Sequence, residues 1–209
     1  MSGDIFKNTG EVSKNLKLVL RIVMYSLYAL IVISMITYTN RSWFSIGGVV
    51  GTAAAVLLWI IAIPGIIKRF DLGGNLKKIA VILMSNRRQL GIIMFLLALS
   101  HYLWLRAFGY IINGFPDPES FKLYERLGFA AFLTTIPLYI TSNNFSVKLL
   151  KRNWTWLHKI NYLTIWLLIF HSAFQPNGLG FVSIITSLVF LVQIVSWGYY
   201  FSKKNSTKK

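Results

Sequence analysis

The chain has 209 residues, 55% hydrophobic and 13% charged; soluble domains carry about a quarter charged residues, so this composition belongs in a membrane. The absence of cysteine excludes disulfides, thiolate metal sites, iron–sulfur clusters and covalent C-x-x-C-H haem attachment. The formal charge of +16 lies at the ends of apolar runs, as in the flanks of membrane segments, and not on one basic face of the kind that binds nucleic acid.

A membrane helix needs about 20 mostly apolar residues. After a basic leader over 1–17, six stretches qualify: 18–39, 46–67, 89–111, 124–142, 154–174 and 179–201. A basic tail over 203–209 closes the chain. The first run is too long for the apolar region of a cleaved signal peptide. The fold expected is all-α: one integral-membrane bundle of six transmembrane helices over 18–202. Gly47, Gly48 and Gly51 open the second stretch, where small residues let helices approach closely and clear a bulky group. Pro64 and Pro137 are expected to kink or end their helices. At the start of the fourth stretch, Glu125 has Lys122 and Arg126 as its nearest candidate partners.

Basic residues alternate along the connections. The leader holds Lys7, Lys14 and Lys17; the 68–88 connection holds Lys68, Arg69, Lys77, Lys78, Arg87 and Arg88; the 143–153 connection holds Lys148, Lys151 and Arg152; the tail holds Lys203, Lys204, Lys208 and Lys209. The opposite side has Arg41, then Asp117 and Glu119 near Lys122, then the neutral turn 175–178. The positive-inside rule puts both termini in the cytoplasm. No connection is long enough to bury the core of a soluble catalytic domain, and no dinucleotide fingerprint or Walker sequence is present.

All three histidines fall in apolar runs, where an imidazole is costly and marks function by default. His101 lies roughly 20 Å along the third helix from Arg88, and His171 roughly 26 Å along the fifth from Trp154, at 1.5 Å per residue. Both helices rise from the same side, so the two imidazoles share one level in the outer half. Two such imidazoles facing each other across a bundle suit the opposite faces of a haem iron. The competing reading makes them polar contacts between helices, bonded to a neighbouring Ser or Thr. His158 lies near the cytoplasmic end, about 140° round an ideal helix from His171, and no histidine stands opposite it at that level. Arg106, five residues past His101, suits either a haem propionate or the membrane surface, and Arg126 has the same two readings. Arg87 and Arg88 suit anchoring or an anionic donor. Trp166, mid-span, suits packing or the flank of a haem.

These residues also form an ordered pattern: Arg87-Arg88-Gln89-Leu90-Gly91 before His101; Arg126-Leu127-Gly128 leading to Pro137-Leu138 and Thr141-Ser142; Trp156-Leu157-His158, Tyr162 and His171; and Gly51 with Pro64 in the second stretch. The pattern resembles the ferric-reductase-like transmembrane family. It is most similar to the branch of small haem-binding subunits that serve periplasmic methionine sulfoxide reductases.

The resemblance implies a six-helix bundle with b-type haem, one centre or two, that takes electrons from the quinone pool or a flavin reductase. It implies delivery to a periplasmic molybdenum-containing oxidoreductase that repairs oxidised methionine. By position, His101, His171 and His158 match the family's haem-liganding histidines. Larger members add a second third-helix histidine and C-terminal flavin and nicotinamide domains, neither of which appears here. FMN is associated with the branch, though no residue identifies its site. The chain is then an electron-transfer subunit, with no catalytic residue of its own. The alternatives are a stand-alone transmembrane metal-ion or quinone-linked reductase, and a non-redox scaffold or transporter; the last predicts a colourless protein.

Overall fold

The computed structural model describes residues 2–37, 42–114, 120–176 and 180–206, with side chains over 11–37, 46–111, 114, 120–176 and 180–206. Arg41, Asp117, Glu119, Lys208, Lys209 and the end of the 175–178 turn lie outside the described residues, as does the side chain of Lys7. In chain order the elements are α1 (Ser2–Thr37), α2 (Ser42–Arg69), α3 (Gly74–Tyr102), a π-helical turn (Leu103–Ala107), α4 (Phe108–Asn113), α5 (Leu123–Ile140), α6 (Asn144–Leu150), α7 (Arg152–Leu157), α8 (Ile160–Ala173) and α9 (Phe181–Ser206). Among the described residues every regular element is helical. The leader is helical too and runs without a break into the first apolar stretch.

Among the described residues, four segments are long and apolar enough to cross a membrane: Glu11–Thr37, Ile46–Arg69, Gly74–Ile111 and Phe181–Ser206. The other two expected spans are shorter. α5 has 18 residues and opens with Glu125 and Arg126. α8 has 14 residues, about 21 Å against a hydrocarbon core of about 30 Å. Its shortness comes from a break inside 154–174. α7 ends at Leu157, the His158 N–H closes back on the Trp154 carbonyl at 3.0 Å, and helix resumes at Ile160. No Gly or Pro marks this break in the sequence. His158 therefore lies in the break, outside the helix that carries His171, and the single-helix angle of 140° between them does not apply.

α3 continues through the π turn into α4: the Phe108 N–H bonds the Leu103 carbonyl, five residues back. Such wide turns shift the phase of everything that follows. Pro64 lies inside α2, which runs on to Arg69, and Pro137 lies in the closing turns of α5.

Five helices close a ring in the order α3–α2–α9–α8–α5 and back to α3, with α1 packed on α3 from outside. Leu58, Ile61, Leu90, Met94 and Ile165 fill the ring from α2, α3 and α8. Phe95, stacked on Tyr139 at 4.2 Å between ring centres, joins α3 to α5. Lipid is as apolar as these side chains, so close packing and interhelical hydrogen bonds carry the cohesion, at about 1 kcal/mol per bond. Trp59 donates to Thr186 across α2 and α9 at 3.1 Å, Trp104 donates to Ser34 across to α1 at 2.9 Å, and Thr134 meets Thr164 across α5 and α8 at 2.7 Å.

Three contacts gather the basic segments at one end of the bundle. Ser13 of α1 meets Ser85 of α3 at 2.7 Å, Arg88 of α3 donates to Asn144 of α6 at 2.7 Å, and Lys203 of α9 pairs with Asp71 of the α2–α3 turn at 2.7 Å.

Candidate functional site

The level shared by His101 and His171 is where the ring of helices is hollow. A cavity of about 940 Å³ opens there, at the upper end of the range for small-molecule and cofactor sites. Its walls come from α2, α3, the π turn, α4, α5 and α8, with Val182 of α9, and both imidazoles line it. Small residues dominate the helix faces turned to it, Gly48, Gly51, Ala54 and Ala55 on α2 and Gly128 and Ala131 on α5.

The two histidines are held the same way. His101 Nδ1 lies 2.8 Å from the Gly47 carbonyl of α2, and His171 Nδ1 lies 2.7 Å from the Tyr124 carbonyl of α5. A carbonyl only accepts, so each Nδ1 carries the proton and each neutral ring keeps an unprotonated Nε2. Four residues beyond each carbonyl stands a glycine against the ring. A Cβ on Gly51 would come within 2.4 Å of His101 Nδ1, and one on Gly128 within 2.5 Å of His171 Nδ1. A histidine that ligates a metal is oriented in this manner, by donating its second nitrogen to a carbonyl. On His171, Gln175 Nε2 lies 3.3 Å from Nε2, the side on which that ring accepts.

The ring centres are 6.4 Å apart, with planes at 82°. Two imidazoles bound on opposite sides of one metal atom, with bonds of about 2 Å and ring centres about 1 Å beyond the nitrogens, stand about 6 Å apart. Among the described residues there is no cluster of three or more His, Asp or Glu side chains for a bare ion. Two histidines alone suit a metal whose remaining ligands come from a macrocycle. The residues fit a haem.

Arg106 and Arg126 line the same cavity. Arg106 pairs with Glu125, where sequence neighbours had pointed to Lys122 or Arg126 as that carboxylate's partner. The π turn accounts for the pairing. Five residues of regular α-helix would turn Arg106 about 140° away from His101, whereas a wide turn with i to i+5 bonding returns it toward His101's face. Glu125 also accepts from the Tyr124 hydroxyl at 3.2 Å and the Lys122 N–H at 3.2 Å. Tyr124 thus serves His171 with its carbonyl and Glu125 with its phenol.

His158 stands apart from this cavity. It stacks on Trp154 at 3.9 Å between ring centres, and its Nε2 meets Thr141 Oγ1 at 3.2 Å. Trp154 in turn donates to the Thr141 carbonyl at 2.9 Å. This is a polar contact of the kind that the sequence offered as the competing reading of His101 and His171. Nearby, Arg69 donates to Ser196 at 2.7 Å, to Tyr162 at 3.3 Å and to Gln193, and lies over the Trp197 ring at 4.8 Å. Trp166 is 48% exposed and meets Phe170 edge-on on the outer face of α8, away from the cavity.

Sequence reasoning located both histidines and Gly51 but missed the Tyr124 carbonyl, which no residue type announces. Gly128 stood in the Arg-Leu-Gly element without an assigned role.

Comparison with known proteins matches part of the chain. The ferric reductase like transmembrane component model matches residues 77–170, taking in His101 and His158 and stopping one residue before His171. The chain is similar to the protein-methionine-sulfoxide reductase heme-binding subunit MsrQ of Agrobacterium fabrum, 36% identical over 100 residues, 46% of each chain. It is 37% identical over 104 residues to that of Ralstonia nicotianae, again 46% of each chain. It is 38% identical over 84 residues to that of Xanthomonas campestris pv. campestris, 39% of this chain and 38% of the relative. The matched stretch spans about half the length of these relatives. No solved structure matches the chain. Over residues 77–170, somewhat under half of its length, this chain is similar to the ferric-reductase-like transmembrane family.

Proposed function

We propose that the protein is a membrane electron-transfer subunit holding one b-type haem between His101 and His171. The observation that carries this reading is the matched pair of cradles: two imidazoles on one cavity, each fixed by a carbonyl and backed by a glycine, each with Nε2 unprotonated. A haem in that place supplies an iron that cycles between two oxidation states. The protein's own part is to hold both rings in one tautomer, to keep the slot lined mostly by apolar side chains, and to set Arg106 and Arg126 on its wall for the propionates. The relatives named heme-binding subunits lend support.

The chain crosses the bacterial inner membrane six times in this reading, α5 and α8 completing the set with their flanking segments, and both termini are cytoplasmic. His101 is then about 20 Å of helix from Arg88 at the inner end. The donor, a quinol or a flavin delivered by a reductase, is received at that end among Arg69, Arg87, His158 and Tyr162, and FMN is the flavin the branch suggests. A second centre at His158 would take its other ligand from outside the three histidines. The acceptor is a periplasmic molybdenum-containing oxidoreductase of the methionine sulfoxide reductase class.

The test is the purified protein's reduced-minus-oxidised spectrum with haem counted per chain. A six-coordinate b-type spectrum supports the reading; a protein that stays colourless after reconstitution with haem contradicts it. Reduction by a quinol or by reduced flavin then identifies the donor.

A further inference from the structure

The segment between α5 and α8 is an elbow built from two short helices, α6 and α7, joined at Lys151, whose φ of 47° sets the angle between them. It is tied down at both ends. Asn143 caps α6 through the Ser146 N–H at 2.8 Å, Arg88 holds Asn144, and Trp154 of α7 holds the end of α5 through the Thr141 carbonyl. A fixed elbow presents a fixed surface, and this one is amphipathic. Phe145, Leu149 and Trp156 are 72%, 66% and 68% exposed.

Beside them is a slot of about 610 Å³ between α7 and the start of α8, separate from the histidine cavity. Its aliphatic wall is Leu150, Leu157 and Ile160; its polar rim is Asn153 and Lys159, with Trp156 between. The Lys159 ammonium sits 5.0 Å from the centre of the Trp156 ring. Lys148, Lys151 and Arg152 are exposed on the same elbow. No acidic residue occurs anywhere after Glu125 in the sequence, and Glu125 is committed to Arg106 in the histidine cavity. Lys159 thus lines an apolar slot on an elbow that carries three further exposed cations and no carboxylate.

We propose that this slot binds a phospholipid with a net-anionic headgroup. The phosphate lies against Lys159 and Asn153, with Lys151 and Arg152 adding long-range attraction, and an acyl chain lies along Leu150, Leu157, Ile160 and the indole of Trp156. Charge complementarity selects the occupant. Basic residues at a bilayer surface gain about 1 kcal/mol each from anionic lipid, and an indole is at home at the headgroup level. The proposal rests on the chain lying in a membrane and is independent of its haem.

The test places the full chain in nanodiscs of phosphatidylcholine doped with brominated phosphatidylglycerol or brominated phosphatidylcholine. The Trp156 contribution is the fluorescence difference between the chain and Trp156→Phe. Brominated phosphatidylglycerol should quench it saturably, at a several-fold lower mole fraction than brominated phosphatidylcholine. Lys151→Gln with Lys159→Gln should erase that preference while leaving the helical circular dichroism unchanged. Equal quenching by the two lipids in the parent chain would overturn the proposal and leave the elbow as a docking face for an acidic soluble protein.

Discussion

His101 and His171 approach to 6.4 Å between ring centres from opposite walls of one cavity, and each does so by the same local device. On α2 the sequence Gly47 to Gly51 supplies a carbonyl and, one turn on, a bare backbone. On α5 Tyr124 to Gly128 supplies the same two things. The imidazole fills the space a side chain would take and reaches the carbonyl beneath it. Tautomer, ring position and direction of the unprotonated nitrogen are thus fixed by backbone atoms.

This makes a prediction about the glycines. Gly51→Ala and Gly128→Ala each place a methyl within 2.5 Å of an imidazole nitrogen, so the ring must move by about 1 Å to restore van der Waals contact. Metal-site affinity falls 10–100-fold, about 1.4–2.7 kcal/mol, when such orienting partners are lost. Haem per chain should drop sharply in both variants. Gly198→Ala, on α9 outside the cavity lining and with nothing within 4 Å of its added Cβ, should keep wild-type haem content. Equal haem in all three would mean the cradles do not position ligands.

The pair Arg106–Glu125 sets charge beside the same cavity. Removing a negative charge near a redox centre favours its reduced form, and removing a positive charge disfavours it. Glu125→Gln should therefore raise the haem midpoint potential and Arg106→Gln should lower it. Shifts of a few tens of millivolts are expected for partly exposed charges at an effective dielectric of about 20 or more. Potentiometric titration decides, and shifts of the same sign in both variants would contradict the assignment. Tyr124→Phe keeps the carbonyl that holds His171 and should leave haem content intact.

Arg69 joins three helices at the opposite end of the bundle, with bonds to Ser196 and Gln193 on α9 and Tyr162 on α8, and with its guanidinium over Trp197. Gln193 is 3% exposed, and its Oε1, which accepts from Arg69, would be left buried without that donor. Arg69→Ala should cost about 2–4 kcal/mol from unsatisfied buried groups, read as a lowered thermal unfolding midpoint in detergent. Arg69→Lys should recover only part, because an ammonium cannot span the same fork of acceptors. An unchanged midpoint in Arg69→Ala would remove the clamp from the account.

How far this site can be read in the sequence depends on which residues are local to it. The common level of His101 and His171 follows from helix rise and from counting outward from the basic ends. Gly51 is legible as a close approach because Gly47 and Gly48 stand beside it. The Glu125 partner is not legible: Arg106 is 19 residues away and reaches it only because a π turn rephases the helix, while Lys122 and Arg126 are nearer in the chain. The break at His158 is equally hidden, since an unbroken apolar run carries no breaker residue. The distance of His158 from the histidine pair, by contrast, follows from helix rise alone.

The central claim is tested most directly by the dithionite-reduced minus oxidised spectrum, with haem per chain, of wild type and of His101→Ala, His171→Ala and His158→Ala. The account predicts a six-coordinate b-type spectrum that is lost in the first two variants and kept at the level of the His101–His171 pair in the third. Haem retained in both His101→Ala and His171→Ala, or a wild type that takes up none, would contradict it.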